Sequence, residues 1–225
     1  MSRIAFDDWP GVIAGCLLGD GSRSGNAVVA KHTNPQKSYV LAKYRLFKQM
    51  GLRVSRRLDF VSNTTFGPRL YSQVKVWCPD KRLFPLSALD CIDQLNPVGL
   101  LIWWLDDGSL TVSEKNNGRG SVARFGYLHT QRFTREENEA IAARLLDQWG
   151  FRLRVHKDRG GLLGPDVVYY RLYFNATALR LLIDIVRPYL WLVPRDMRYK
   201  LHMDYRPTKL STSSEYNKRY NIQKA

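Results

Sequence analysis

Two segments of the chain share one pattern, in which an apolar stretch runs directly into aspartate, glycine and serine. The first reads IAGCLLGDGS (residues 13–22) and the second reads LIWWLDDGSL (residues 101–110). Asp20 of the first segment aligns with Asp107 of the second. A duplication on this scale predicts two similar halves within one chain.

Each half has an amphipathic helix after a His-Thr pair, at residues 32–33 and 129–130. The first helix is predicted to begin after Asn34, a good N-cap, and to end at Gly51. The predicted apolar face of this helix carries Leu41, Tyr44, Phe47 and Met50.

The helix of the second half has clearer boundaries. It is predicted to begin at Thr134, where Glu137 completes a capping box, and to end at Gly150. Its predicted apolar face carries Ile141, Leu145 and Trp149.

The segments between these helices alternate polar and apolar residues with period two, as half-buried strands do. One example is QVKVW (residues 73–77). Each half therefore reads as αββαββα, so the predicted fold class is α+β, with two pseudo-symmetric halves and two antiparallel sheets. We assign the halves to residues 1–95 and 96–207 and expect residues 208–225 to form a basic, mobile tail.

The charge balance favours a polyanionic partner. The chain has 35 Lys and Arg residues against 20 Asp and Glu residues, a net charge of +15, and nucleic acid is the usual partner of such a protein. One face of each predicted strand is apolar and would pack on helices, whereas the other presents basic, polar and aromatic side chains. The candidate DNA-binding residues are Lys31, His32, Arg53, Arg56, Gln73, Lys75, Arg124, Arg152, Arg154, His156, Tyr169, Arg171 and Tyr173.

The same sequence argues against secretion. It has no apolar run long enough to span a membrane, and acids stand where a signal peptide needs an apolar segment. Cys16, Cys78 and Cys91 lack metal-binding spacing and are interpreted as reduced thiols. We therefore expect an intracellular protein of a reducing compartment, such as a bacterial cytoplasm or an organelle matrix.

Small residues follow a helical period in the first motif. Gly11, Gly15 and Gly19 recur at every fourth position, and small residues on one helix face let two backbones approach closely. If the helices of both motifs pack side by side and parallel, their C-terminal ends meet.

Asp20 and Asp107 would then lie together, where free helix carbonyls already carry partial negative charge. Two carboxylates in one place repel unless one is protonated, and a divalent cation removes that conflict. Hard oxygen ligands suit Mg²⁺, with the backbone at Gly19 and Asp106 as further candidate ligands. The side chain of Asp106, which has no counterpart in the first motif, is interpreted as either solvent-facing or structural. A metal between carboxylates on a nucleic-acid-binding protein indicates phosphodiester hydrolysis.

IAGCLLGDG and LLIWWLDDG resemble two copies of the motif that names the LAGLIDADG homing endonucleases, as in the single-chain branch of that family. The resemblance covers residues 12–204 and implies a saddle of two αββαββα halves, with the motif helices at their interface and the sheets in the major groove. It also implies a monomer that cuts both strands of a long double-stranded DNA site with Mg²⁺ and leaves staggered ends. Mn²⁺ is expected to substitute for Mg²⁺.

The resemblance assigns roles to individual residues of this sequence. It implies that Asp20 and Asp107 are the metal ligands. Family members also place basic side chains around the scissile phosphates, and Lys200 matches one of these by position. Arg82, or its neighbour Lys81, matches the other.

Gln131 matches the polar residue that orders solvent near the metal in the family, and Gln36 or His32 matches it in the first half. The second motif departs from the family pattern, because large residues fill positions 101–104, where small ones are expected. We therefore expect an asymmetric helix interface, in which bulk on one side meets glycine on the other.

The interpretation that fits these features best is a site-specific, metal-dependent DNA endonuclease. One alternative is an intron-encoded maturase that uses the same fold to bind its host intron RNA. Another is a DNA-binding protein that does not cleave. The presence of both Asp20 and Asp107 favours cleavage, because a pure maturase would not need them.

Overall fold

The computed structural model describes residues 9–24, 27–31, 36–57, 61–65, 85–114, 122–159 and 167–203. The elements of the first half are α1 (Trp9–Leu18), β1 (Gly21–Ser24), β2 (Ala27–Lys31), α2 (Lys37–Gln49), β3 (Arg53–Arg57), β4 (Val61–Thr65) and α3 (Pro85–Asp93). Those of the second half are α4 (Pro97–Asp107), β5 (Gly108–Glu114), β6 (Val122–Leu128), α5 (Arg135–Trp149), β7 (Arg154–Arg159), β8 (Val168–Phe174) and α6 (Ala176–Val186). Two 3-10 helices follow, Arg187–Leu192 and Arg195–Leu201.

The two halves share both element order and sheet topology. The strand order is β1-β2-β4-β3 in the first sheet and β5-β6-β8-β7 in the second. Neighbouring strands pair antiparallel in both sheets. The predicted α+β class and the αββαββα order of each half are therefore confirmed. The strand predicted at residues 73–77 and the tail at residues 208–225 lie outside the described residues.

Contacts divide the chain into two compact units. The first comprises Met1–Asp107 with Pro188–Leu192, and the second comprises Gly108–Arg187 with Val193–Ala225. Helix α4 belongs to the first unit although it opens the second sequence repeat, because it packs along α1. The repeat boundaries drawn from the sequence and the compact units therefore describe different divisions of the chain.

Glycines set the distance between α1 and α4. A Cβ atom added to Gly15 would lie 2.5 Å from the Cα atom of Gly99, and one added to Gly99 would lie 2.7 Å from the carbonyl carbon of Gly11. Both distances are far shorter than a van der Waals contact, so these backbones touch directly. Gly99 precedes the bulky residues 101–104 in α4, and it is Gly99 that contacts Gly11 and Gly15 of α1. The expected packing of bulk against glycine is therefore wrong here.

The bulky residues of the second motif form core instead. Trp103 and Trp104 are 0% and 1% exposed. Helix α4 begins with a local cap, because the Asn96 side-chain oxygen accepts a hydrogen bond from the Gly99 amide at 2.8 Å. Pro97 occupies the first helical position, where its missing N–H costs no hydrogen bond.

Helix α2 differs from its sequence prediction in two respects. It begins at Lys37, and Gln36 makes no side-chain capping bond, whereas Asn34 lies outside the described residues. It ends before Gly51, as predicted, with the glycine at a φ of 76°. Its buried side chains are Tyr39, Val40, Lys43, Leu46 and Phe47. The predicted face is therefore wrong at Leu41 and Tyr44, and the buried face includes a lysine.

Helix α5 confirms its predicted boundaries. The Glu137 amide donates to the Thr134 hydroxyl at 3.3 Å, and the Glu137 carboxylate accepts from the Thr134 amide at 2.7 Å, which forms the capping box. Gly150 ends the helix in the left-handed conformation, with a φ of 76°.

Two further expectations concern the membrane and the thiols. Within the described residues, no helix combines the length and apolar character needed to cross a bilayer. Cys16 and Cys91 are buried free thiols, in agreement with the predicted reduced state, and Cys78 lies outside the described residues.

We predict that Gly15→Ala lowers the free energy of unfolding by about 1–3 kcal/mol or prevents folding, because the new methyl group must displace the backbone at Gly99. Urea denaturation of the full chain measures this change. Alanine is the better helix former by about 1 kcal/mol. A Gly15→Ala protein as stable as the parent would therefore contradict the backbone contact.

Candidate active site

The C-terminal ends of α1 and α4 lie together. Contacts along the two helices advance in the same direction, from Gly11 beside Asn96 to Gly19 beside Asp106, so the helices run parallel. The Asp20 amide donates a hydrogen bond to the Asp106 carboxylate at 3.1 Å. Asp107 is the last residue of α4 and follows Asp106 directly.

Asp106 is the centre of a buried polar cluster. The Lys43 ammonium donates to both carboxylate oxygens of Asp106, at 2.7 and 2.8 Å. The Tyr39 hydroxyl donates to the same carboxylate at 2.7 Å. The side chains of Lys43 and Asp106 are 1% and 0% exposed. We call Tyr39, Lys43 and Asp106 the Asp106 cluster.

The cluster decides between the two interpretations of the Asp106 side chain. A carboxylate that is shielded from water and bonded to an ammonium, a hydroxyl and a backbone amide is structural, so the solvent-facing interpretation is wrong. The predicted metal role of Asp106 then rests on its backbone carbonyl alone. A buried carboxylate needs such partners, because an uncompensated charge in the interior is strongly destabilising.

The cluster also explains why the first motif has glycine where the second has Asp106. A Cβ atom added to Gly19 would lie 2.7 Å from the Cβ atom of Asp106 and 2.8 Å from its carboxyl carbon. The Asp106 side chain occupies the space that a side chain at position 19 would need. The two aligned positions are therefore complementary and cannot both carry aspartate.

Burial keeps the Tyr39 hydroxyl and the nearby Cys16 thiol protonated. Desolvation raises the pKa of Tyr39 well above its ordinary value, and the adjacent Asp106 charge raises it further. The Tyr39 hydroxyl therefore remains a hydrogen-bond donor at physiological pH. Burial likewise raises the pKa of the Cys16 thiol to about 12, so Cys16 is an unreactive core residue.

Asp20 and Asp107 supply the oxygen donors at the joined helix ends. Asp20 is exposed and Asp107 is half-buried, whereas the Asp106 side chain faces inward to Lys43. Two carboxylates and helix-end carbonyls are hard ligands of the kind that Mg²⁺ takes while keeping several waters. Among the described residues, no group of three or more His, Cys, Asp and Glu side chains could share a metal ion. The donor set fits a divalent ion held by two carboxylates.

Gln131 is oriented by a hydrogen-bond chain in the second unit. Its side-chain nitrogen lies 3.1 Å from Nδ1 of His129, and Nε2 of His129 lies 3.1 Å from the Ser109 hydroxyl. The Ser109 hydroxyl in turn donates to the Tyr127 carbonyl at 3.4 Å. Because the amide nitrogen of Gln131 only donates, Nδ1 of His129 accepts and Nε2 carries the proton. The imidazole of His129 is therefore neutral when all of these hydrogen bonds are formed.

The charges around His129 support the same protonation state. Burial lowers the pKa of His129 below its ordinary value of 6.5, and the positive charges of Arg171 and Lys200 lower it further. Lys200, on the second 3-10 helix, thus acts electrostatically on the imidazole that holds Gln131. Arg82, Lys81 and His32 lie outside the described residues, so their predicted roles stay predictions.

One face of the second sheet combines aromatic and charged side chains. Arg154, His156 and Asp158 of β7 pair with Tyr173, Arg171 and Tyr169 of β8, and paired residues share a face. The grouping predicted from the strand periodicity is therefore confirmed. Arg152 is exposed and precedes β7. We call the six paired residues, with Tyr127 of β6, the aromatic–basic face.

Ring contacts order this face. The imidazole of His156 stacks on Tyr173 with centroids 4.4 Å apart and an interplanar angle of 7°. The guanidinium carbon of Arg171 lies 3.7 Å from the ring centroid of Tyr127, and Arg171 pairs with Asp158 at 2.5 Å. Tyr127 was not among the residues predicted to bind DNA.

Other candidate DNA-binding residues lie elsewhere. Arg124 pairs with Val112 on the opposite face of the second sheet, and its Nε donates to the Met203 carbonyl at 2.7 Å. The structure therefore separates it from the aromatic–basic face. Of the remaining residues, Lys31, Arg53 and Arg56 belong to β2 and β3, whereas Gln73 and Lys75 lie outside the described residues.

Sequence reasoning missed Lys43 and Tyr39. The available signal was their spacing, because Tyr39, Lys43 and Phe47 recur at every fourth position of α2. A lysine in that row needs a buried anion, and the carboxylate of Asp106 was the acidic group near the motif that had no assigned function. The repeated His-Thr pair pointed to His129, but not to its bond with Gln131.

We predict that Lys43→Met lowers the free energy of unfolding by about 3–5 kcal/mol, because it leaves a buried carboxylate with its charge unbalanced. Urea denaturation measures the loss. Lys48→Met, at an exposed lysine of the same helix, serves as the control and should change stability by less than about 0.5 kcal/mol. The double variant Lys43→Met/Asp106→Asn removes both charges and should recover much of the loss. Equal destabilisation by the two lysine variants would contradict a buried ion pair.

We also predict that an NMR titration gives His129 a pKa below 6.5 and that Lys200→Gln raises this pKa. Arg180→Gln, at an exposed arginine of α6, is the control and should leave it unchanged. Because the pKa of His129 is lower in the folded protein, its neutral ring stabilises the fold above pH 6.5. That contribution is lost as the pH falls through the folded pKa. An unshifted His129 would contradict the hydrogen-bond chain.

A model of the LAGLIDADG DNA endonuclease family matches residues 11–182, more than half of the chain. The "Probable intron-encoded DNA endonuclease 3" of Mycosarcoma maydis is 32% identical over 110 residues, which cover 49% of this chain and 66% of that protein. This chain thus spans slightly less than two thirds of that relative. An uncharacterized protein of Methanocaldococcus jannaschii is 30% identical over 208 residues, which cover 84% of this chain and 71% of that protein.

A solved structure of the homing endonuclease I-WcaI, bound to its DNA recognition sequence, has the same fold. The match has a TM-score of 0.60 at 18% sequence identity and covers 91% of this chain and 90% of the other. The family model, the duplicated motif and the shared fold agree, and the chain belongs to the LAGLIDADG DNA endonuclease family.

Proposed function

We propose that this chain is a site-specific DNA endonuclease that hydrolyses both strands of a long target site with Mg²⁺ and leaves staggered ends. The observation that carries the proposal is the contact between the ends of α1 and α4, which brings Asp20 beside the Asp106–Asp107 pair. Family membership supports the nuclease activity. Both motifs lie on one chain, so the proposed enzyme acts as a monomer.

Asp20 and Asp107 would hold the divalent ion, with the carbonyl groups of Gly19 and Asp106 as further ligands. The chemistry that Mg²⁺ would supply there is a lowered pKa of bound water and stabilisation of negative charge on the phosphate and the leaving oxygen, and Mn²⁺ is expected to replace it. Lys43 neutralises the Asp106 side chain, so this carboxylate adds no net charge beside the ion.

Gln131 would order the attacking solvent. Its amide nitrogen donates to His129, which leaves the amide oxygen to accept a hydrogen bond from water. Lys200 would balance charge near a scissile phosphate, and Arg82 or Lys81 would do so in the other half. Each of these groups positions solvent or phosphate and transfers no atom to the product.

The aromatic–basic face would contact the DNA. Arg154, His156 and Arg171 supply donors for phosphate or base edges, and Tyr169 and Tyr173 supply flat surfaces with a polar tip. The net charge of +15 adds an attraction that does not depend on sequence. Stacking on Tyr127 and Tyr173 fixes Arg171 and His156 before DNA binds, which reduces the entropy lost on binding.

We predict that Asp20→Asn and Asp107→Asn each reduce DNA cleavage by about 100-fold or more, because metal binding supplies several kcal/mol of transition-state stabilisation. Cleavage of the intron-free insertion site, carried on a plasmid with Mg²⁺, measures this loss, and a gel-shift assay without Mg²⁺ should show binding retained. Asp184→Asn, at an exposed ion pair of α6, is the control and should cleave normally.

Three outcomes would redirect the interpretation. Cleavage by Asp20→Asn at the normal rate would exclude the metal site. A parent protein that binds this DNA without cutting it, with either Mg²⁺ or Mn²⁺, would favour the non-cleaving DNA-binding protein. A parent protein that binds its host intron RNA in preference to DNA would favour the maturase.

A further inference from the structure

The two proposed metal ligands are held by their backbones in different ways. Asp107 is the last residue of α4 and therefore lies within a regular helix. Helix α1 ends at Leu18, and the Gly19 amide still donates to the Gly15 carbonyl at 3.1 Å. Asp20 comes one residue later, and the hydrogen bond of its amide crosses to the Asp106 carboxylate of α4.

The acceptor of that bond is held rigidly. Both carboxylate oxygens of Asp106 accept hydrogen bonds from the Lys43 ammonium, and one of them also accepts a hydrogen bond from the Tyr39 hydroxyl. The Tyr39 hydroxyl lies 3.2 Å from the Ile102 carbonyl as well, one turn earlier in α4. Since all three side chains are nearly inaccessible to water, the carboxylate has one orientation.

Charge gives the cluster a second effect. Asp106 adjoins Asp107 in sequence and contacts the backbone of Asp20. An unbalanced negative charge on Asp106 would repel both ligands, but Lys43 cancels it from within the core. The side chains of the cluster can therefore hold the Asp20 backbone without themselves binding the metal.

We infer that Asp106 is a positioning residue for Asp20, and that Lys43 and Tyr39 fix its carboxylate for that purpose. This inference rests on the proposed function, because it assigns Asp20 a metal to hold. Outer groups that orient metal ligands typically contribute 10–100-fold to metal affinity. The Asp106 side chain is expected to contribute within that range, about 10–100-fold, although its carboxylate does not itself bind the ion.

The first test is amide hydrogen exchange at Asp20 in the full-length protein, which needs neither metal nor DNA. Asp106→Ala removes the acceptor and should abolish the protection of the Asp20 amide. Lys43→Met/Asp106→Asn keeps a side-chain oxygen at position 106 and balances the charges, so protection should return. Tyr39→Phe removes one support of the carboxylate and should weaken protection while retaining the ion pair. An Asp20 amide equally protected in all these proteins would overturn the inference.

The second test is Mn²⁺ binding, followed by electron paramagnetic resonance in the absence of DNA. Asp106→Ala should raise the dissociation constant about 10–100-fold, and the double variant should recover most of the affinity. Asp184→Asn again serves as the control at an exposed ion pair. If Asp106→Ala does not fold, Tyr39→Phe provides the weakened acceptor and should bind Mn²⁺ less tightly than the double variant; equal affinity of the two would overturn the inference.

The outcomes separate this inference from the proposed function. A general loss of folded protein would lower the number of Mn²⁺ sites, whereas a misplaced Asp20 raises the dissociation constant of the sites that remain. If the parent protein binds Mn²⁺ and Asp106→Ala binds it equally well, the positioning role is wrong and the endonuclease stands. If the parent protein binds no Mn²⁺, the metal site of the proposed function fails, and the inference fails with it.

Discussion

The direct backbone contact between α1 and α4 is the constraint on which the candidate active site depends. Gly15 and Gly99 bring the two helices so close that a single added methyl group would overlap the opposite backbone. Because the helices run parallel, this closeness is transmitted to their C-terminal ends, where Asp20 and the Asp106–Asp107 pair lie together. A larger distance between α1 and α4 would separate Asp20 from Asp106 and Asp107, so the three carboxylates would not share one site.

The same closeness creates an electrostatic problem that the core solves in part. Each helix end carries about half a negative charge, and three carboxylates add to it. Lys43 cancels the charge of Asp106 inside the protein, where low polarity strengthens their attraction. Asp20 is exposed and Asp107 is half-buried at the same helix ends. Two carboxylates at two joined helix ends form an arrangement that a divalent cation would stabilise, and this links the buried ion pair to the proposed chemistry.

The sequence predicts those parts of the molecule whose cause is local. Glycine spacing identified the face of α1, capping residues fixed α5, and alternation grouped Arg154 with His156 on one face. Prediction from the sequence failed where the interaction partner of a residue lies far away in the sequence. Lys43 was not placed on the predicted buried face of α2, because its anion is supplied by a helix of the other repeat. Arg124 was predicted to bind DNA with the residues of β7 and β8, but its place in β6 directs it to the opposite face of the sheet.

The Gly19 and Asp106 positions show what a duplicated chain permits. They align in the two motifs, yet the Asp106 side chain fills the space beside Gly19. Two identical subunits related by a twofold axis would carry the same residue at both positions. Two aspartates would overlap there, and two glycines would leave Lys43 facing an empty site. Only a chain whose halves differ in sequence can place one buried carboxylate between them. The asymmetry is therefore a condition for the Asp106 cluster, and with it for the support that Asp20 receives.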